Sequence, residues 1–426
     1  MRCPRSLLFS AVITLGCGPI GADAQPHREH RLEAEEAYAQ KDYAAAKAAL
    51  RAALDLRPDS PRYLRMLAAV SALSGDDDSA LAALNQIAAL GVATTIERDA
   101  DFATLQGSAE FRRIQQRFAD NRAPTGQAVV MEKLPGRTGI IEGLAYRSRT
   151  GELFLGDVHH RCIWRREPDG RVTRYSAEDE ELFGVFGLAL DEPRNTLWAA
   201  TTALPEMTGF NVELQGLAAL AEFNLANSEL RRVVHLPLDG RDHGLSDLVV
   251  APDGTVYATD SISPIVWQLA PGAEEFEIAA QSPLFGSLQG VILERRTLIV
   301  ADYTNGLFTI DLDRREVQAI PTPKNHTLIG IDGIVAVPGG IVVTQNGTDP
   351  QRVLHLTLAP NLRSITNVAV LASGQPELQD LGLITLMDSV PTLIANAGWE
   401  GFSAAPNRPP ATRTVHILQV PLSPQP

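Results

Sequence analysis

Six residues, Glu142, Phe186, Ser246, Gln289, Asp332 and Leu381, stand at the same place in six similar stretches of the chain, at steps of 44, 60, 43, 43 and 49 residues. Four of the six carry a side-chain oxygen. If equivalent positions converge on one axis, two carboxylates, an amide and a hydroxyl share a small volume. That is a hard oxygen set suited to a divalent metal, calcium first, with magnesium, manganese or zinc as substitutes. Without a cation Glu142 and Asp332 repel, and at least one holds its proton above the usual carboxylate range. A second set closes each stretch: Asp157, Thr201, Asp260, Asp302, Gln345 or Asn346, and Asn396. Such residues often tie down loops through the backbone. Asp302, Asn346 and Asn396, with the loop histidines His159 and His243, are nevertheless the candidates for touching a substrate, and His159, His160 and His243 are candidates for acid or base work. Phe183, Phe186 and Tyr303 are candidates for the wall of a pocket, whereas Trp198 falls mid-strand and reads as core.

The elements that must position these residues are hairpins. In His243 to Ser261, Leu248-Val249-Val250 forms a short strand, Pro252-Asp253-Gly254 a tight turn and Thr255 to Ala258 the returning strand. The same grammar starts at Glu142, Phe186, Gln289 and Asp332, and more weakly at Leu381. Steps of this size are blade spacing. A hairpin cannot bury both faces alone, so radial stacking around a channel is the natural solution, and the chain is expected to be mostly β, a six-bladed β-propeller over residues 127–422. The 60-residue step implies an insertion at residues 202–217. Ala128 to Leu134 and Thr414 to Leu422 alternate as strands at either end, and one completing a blade begun by the other would close the ring.

The N-terminal part is different. Met1 to Ala24 has Arg2 and Arg5, an apolar run from Leu7 to Leu15 and Ala22-Asp23-Ala24, which reads as a secretory signal peptide and implies a periplasmic or secreted protein. Cleavage would remove Cys3 and Cys17 and leave Cys162 alone, so no intramolecular disulfide is expected. Residues 27–121 are alanine-rich and helical, with a 34-residue period: Ala46, Leu50 and Ala53 are followed by Ala80, Leu84 and Ile87. This is tetratricopeptide-like spacing, a small α-helical domain suited to binding a protein partner or to packing alone. A formal net charge of −14 supplies no basic stripe for nucleic acid, and no apolar run is long enough for a transmembrane segment.

The six stretches resemble the gluconolactonase and regucalcin-like (senescence marker protein) family of six-bladed propellers, over roughly residues 139–397. The family's metal glutamate falls on Glu142-Gly143 and its metal aspartate on Asp332-Gly333-Ile334. Two asparagines usual between them are here Ser246-Asp247 and Gln289-Gly290. The resemblance implies one divalent cation on Glu142, Ser246, Gln289 and Asp332, and a lactonase or related ester hydrolase in which Asp332 or Asp247 assists proton transfer. No G-x-S-x-G elbow, H-E-x-x-H or phosphate loop competes with that reading. The alternative is a non-catalytic propeller that binds a small molecule or a protein, with the helical repeats as an interaction module.

Overall fold

The computed structural model describes residues 25–177, 182–403 and 412–422. The expected signal peptide, with Cys3 and Cys17, lies outside them. The chain divides into two compact units, one of residues 25–123 with 322–327 and 348–350, the other of the remainder.

The first unit contains helices Pro26–Ala39, Tyr43–Leu56, Pro61–Leu73, Asp77–Ala89 and Ala109–Arg122, with a 3-10 segment at Ala100–Leu105. Their starts are written in the sequence. Asp42, Ser60, Asp76 and Ser108 each accept a hydrogen bond from a backbone N–H in the first turn of their helix, and Pro26 and Pro61 occupy first positions, where no N–H is needed. The two capping aspartates are 34 residues apart, and Ala46, Leu50, Ala53 and their counterparts Ala80, Leu84, Ile87 are all fully buried. No described helix is long and apolar enough to cross a membrane.

The second unit is a six-bladed propeller. The inner strands of blades 1 to 5 are Ile141–Arg147, Gly184–Asp191, Leu245–Val250, Leu288–Glu294 and Ile331–Val337, each followed in order by three antiparallel strands. Blade 6 takes Ile384–Met387, Val390–Ala395 and Arg413–Gln419 from the C-terminal end and its outer strand, Val129–Arg137, from the other end of the domain. The ring is therefore closed by the two flanking strands, as their alternation anticipates. Thr125–Gly126 adds a short fifth strand to blade 5. The blade 2 insertion is the long connection between Thr196–Thr202 and Ala218–Asn224. Six apolar clusters fill the six junctions between neighbouring blades, for example Phe154 and Ile163 of blade 1 against Leu197 and Phe223 of blade 2.

The inner strands approach so closely that four of them carry glycine at the second position of the recurring stretch, Gly143, Gly187, Gly290 and Gly333, and in blade 6 Gly382 takes that place just ahead of the strand. A Cβ at Gly143 would lie 1.9 Å from the Phe186 carbonyl oxygen of blade 2, and one at Gly290 would lie 2.6 Å from that of Asp332 in blade 5. Blade 3 breaks the pattern with Asp247. Its carboxylate Oδ2 accepts from the Val291 N–H of blade 4 at 3.2 Å, so a side chain replaces contact between backbones.

Candidate functional site

The six recurring positions do occupy one ring at the start of the inner strands, and their side chains are largely withdrawn from solvent. Glu142, Ser246 and Asp332 are 5%, 5% and 7% exposed. Burial, then the charge of Asp332, pushes the Glu142 carboxyl well above the usual range, with Asp380 and Asp247 adding to it. One contact opposes this, the indole N–H of Trp399, which donates to Glu142 Oε2 at 2.6 Å. Asp332 is pushed up by burial to about 6, held back by Asn346 Nδ2, which donates to its Oδ2 at 2.6 Å. Asp247 is pushed up to about 7, again chiefly by burial. Three carboxylates thus share the channel, and among the described residues none of the groups acting on them is a lysine or arginine.

The middle of the ring is neutral. Ser246 Oγ donates to Gln289 Oε1 at 2.6 Å, and Gln289 Nε2 donates to Ser287 Oγ at 3.1 Å. Asn346 is the informative amide. Its NH2 is fixed by two acceptors, Asp332 Oδ2 and the Leu381 carbonyl at 2.8 Å, so the orientation of the amide is decided by its partners. Its Oδ1 is then left buried without a hydrogen-bond partner, which costs free energy unless something else satisfies it. Among the described residues no group of three or more His, Cys, Asp and Glu side chains stands ready to hold a metal ion. A cation here would have to combine carboxylates with amide oxygens.

The second set mostly staples loops. Asp302 Oδ1 accepts from the N–H groups of Ser287, Thr304 and Asn305 and its Oδ2 from Gly286 N. Asp260 accepts from Gly244, Ile262 and Ser263 N–H and from Trp267 Nε1, and Asp157 from His160 N and Trp164 Nε1. In place of the substrate contact expected of it, Asp302 is fully buried, with its lone pairs committed to its own blade. His243 likewise is only 1% exposed rather than a free loop residue. Its Nδ1 meets Asp260 Oδ2 at 2.7 Å and its Nε2 meets Asp239 Oδ1 at 3.1 Å. Burial lowers its pKa, but the two carboxylates outweigh burial and the net shift is upward. Asn396 donates to the Thr414 carbonyl at 2.6 Å, holding strand Arg413–Gln419 in place. His159 remains partly open, with Nδ1 at 2.5 Å from the Glu206 carbonyl and its ring 4.6 Å from that of Phe402. Trp198 is core, as its mid-strand position suggests, under the Arg232 guanidinium.

Sequence reasoning missed Trp399, which stands on the short helix Trp399–Ser403 inserted before the last strand. Its ring lies 6.0 Å from that of Phe186 and tilted by 33°, so the two make a partly exposed wall beside Glu142. Tyr303 borders the carboxylates: burial, Asp332 and Glu142 all raise its phenol. Its hydroxyl fits beside Gly347, where a Cβ would come within 2.9 Å of it. A surface cavity of about 410 Å³, lined by Asp311, Arg314, Glu316 and Arg363, lies on strands away from these residues.

No known family model and no curated protein matches the chain. Solved structures of similar fold include a gluconolactonase from Xanthomonas campestris, 15% identical, over 69% of this chain and 89% of that one, with a TM-score of 0.48. The PQQ-bound aldose sugar dehydrogenase from Streptomyces coelicolor is 13% identical over 70% and 98%, TM-score 0.47, and a streptogramin B lyase 12% identical over 69% and 98%, TM-score 0.47. At such identities the likeness concerns the propeller fold alone.

Proposed function

We propose that the chain is an exported, divalent-cation-dependent hydrolase that opens a lactone or related ester at the centre of the propeller. The supporting observation is the set of three carboxylates, the buried Glu142 and Asp332 and the half-buried Asp247, with no basic side chain acting on them among the described residues and an unpartnered amide oxygen, Asn346 Oδ1, beside them. Such a set is costly to keep ionised and becomes favourable with a cation. Glu142, Asp332, Gln289 Oε1 and Asn346 Oδ1 would hold it, with Ser246 assisting through its hydroxyl or a water. An all-oxygen set suits calcium better than zinc. When bound, the cation would polarise the substrate carbonyl.

The chain's own residues supply the proton transfers. Asp247 lies outside the holding set, its carboxyl raised to about 7 in the cation-free protein, and beside a cation it would be drawn toward the ionised form that accepts a proton at neutral pH. It can take a proton from the attacking water and return one to the departing oxygen. Asp332, tied to Asn346 and engaged as a ligand, is less free to do so. The backbone N–H of Val291 keeps the Asp247 carboxylate oriented.

The test is a panel of lactones and esters assayed with calcium and with chelator, alongside calorimetric titration of calcium. Calcium-dependent turnover is expected. Asp247→Asn should keep calcium binding and lose roughly 100-fold or more in turnover. A wild-type protein that binds no divalent cation and cleaves none of the panel would refute the reading. Export is supported by the order of charged, apolar and small residues in Met1 to Ala24. A tetratricopeptide-like role for the helices, recruiting a protein partner, is supported by the equivalent caps Asp42 and Asp76.

A further inference from the structure

We infer that the site takes a neutral substrate whose carbonyl end is joined to a flat apolar body, an aryl or alkyl lactone or ester, in preference to a polyhydroxylated or anionic one. The proposed hydrolase reading enters only through the carbonyl end; the body is assigned by the wall around it.

Three observations carry this. First, Phe186 and Trp399 place two partly exposed rings 6.0 Å apart directly beside Glu142. Phe186 stands at a ring position where four other blades carry polar side chains, and a phenyl there offers apolar surface that a ligand can cover. Second, the hydrogen-bond donors at the mouth are already committed to acceptors within it. The Trp399 indole N–H goes to Glu142, the Asn346 NH2 to Asp332 and the Leu381 carbonyl, the Ser246 hydroxyl to Gln289, and the Gln289 NH2 to Ser287. A sugar-like body needs donors for its hydroxyl oxygens, and would have to break these bonds or leave those oxygens unpaired, at a cost for each. Third, the charges acting on Glu142, Asp247, Asp332 and Tyr303 are all carboxylates. Without the cation an anionic body such as a sugar acid or phosphate meets repulsion and no basic partner, and with it the two holding carboxylates already balance the cation's charge.

The experiment separates this from the hydrolase reading by using lactams, which mimic the ring and carbonyl but resist cleavage. Binding of 3,4-dihydroquinolin-2-one and of gluconolactam is measured by calorimetry, with calcium and with chelator, on the wild type, Phe186→Ala and Trp399→Phe. The aryl lactam should bind the wild type at least roughly tenfold tighter than the polyol. Phe186→Ala should erase most of that preference, and Trp399→Phe, which keeps a ring, should keep it. If Phe186→Ala fails to fold, Trp399→Ala reads the same wall. Equal or tighter binding of gluconolactam, no binding of either compound at millimolar concentration, or a preference unchanged by loss of the rings would overturn the inference. If the aryl lactam binds as expected while no lactone is cleaved with or without calcium, the hydrolase reading fails and the assignment of the wall stands.

Discussion

At the scale of single residues, the carboxylates govern how stability should depend on pH. In an unfolded chain such groups ionise near pH 4, whereas in the folded chain Asp332 and Asp247 keep their protons to about 6 and about 7. Between these limits the native state binds more protons than the unfolded one. In chelator, stability is therefore greatest at the acidic end of the window and falls as pH rises through it, by at most about 1.4 kcal/mol per pH unit for each group. Asp247→Asn should flatten this fall and leave the chelated protein more stable than wild type at neutral pH, in denaturant titrations across the window. Glu142→Gln should act with two signs: a higher melting temperature than wild type in chelator, because a buried repulsion is gone, and a lost response to calcium. The wild type itself should gain about 2.7 kcal/mol at a free calcium concentration about 100 times the dissociation constant. Should Glu142→Gln retain the full calcium shift, the holding set is wrong. What the sequence could say about these residues was their type and register. It could not say which oxygens remain free. Asp302 and Gln345 hold equivalent places in their stretches, yet loop N–H groups occupy the first, while the residue after the second, Asn346, keeps one oxygen unpartnered. Trp399, 257 positions from Glu142, gave no local signal at all.

At the scale of elements, the hairpins were legible because each carries its own turn chemistry and a repeated interval, both local properties of the chain. Some outer strands, such as Val172–Arg174 and Glu277–Gln281, are short and largely unburied, and their weak patterning hides them. The glycine ring is a further element-level feature visible in retrospect: five glycines follow the recurring positions, and a sixth place holds Asp247. The reason is contact between backbones across blades. Gly143→Ala would drive its Cβ to 1.9 Å from a carbonyl oxygen, so it should destabilise the propeller by about 1–3 kcal/mol or more. At Gly107 an added Cβ would meet no heavy atom within 4 Å, and its φ is not positive. Alanine there should be accepted with little loss, or with a gain of up to about 1 kcal/mol. Chemical denaturation of both variants checks the contrast, and equal effects would mean that the inner strands can part without cost.

At the scale of the whole propeller, closure decides how it unfolds. Blade 6 joins strand Val129–Arg137 to Arg413–Gln419, so the two ends of the domain are held in one sheet. Leu134 of that outer strand is 3% exposed and packs with Ile141, Leu144 and Leu155 of blade 1 and Ile417 of its own blade. An open stack of repeats could shed a weakened terminal blade and keep the others, because each would touch only its neighbours. In a closed ring every blade is held on both sides, and loss at the seam is felt all round. Leu134→Ala, which leaves a cavity at the seam, should cost about 2–4 kcal/mol. All four tryptophans, Trp164, Trp198, Trp267 and Trp399, lie in blades 1, 2, 3 and 6, so their fluorescence follows the propeller without contribution from the helical unit. The expected result is one fluorescence transition, shifted as a whole to lower temperature and coincident with the loss of near-ultraviolet circular dichroism. A variant in which Trp399 reports early melting while Trp198 and Trp267 hold their native signal, resolved by single-tryptophan versions, would show that the seam opens independently and that the ring is not the cooperative unit.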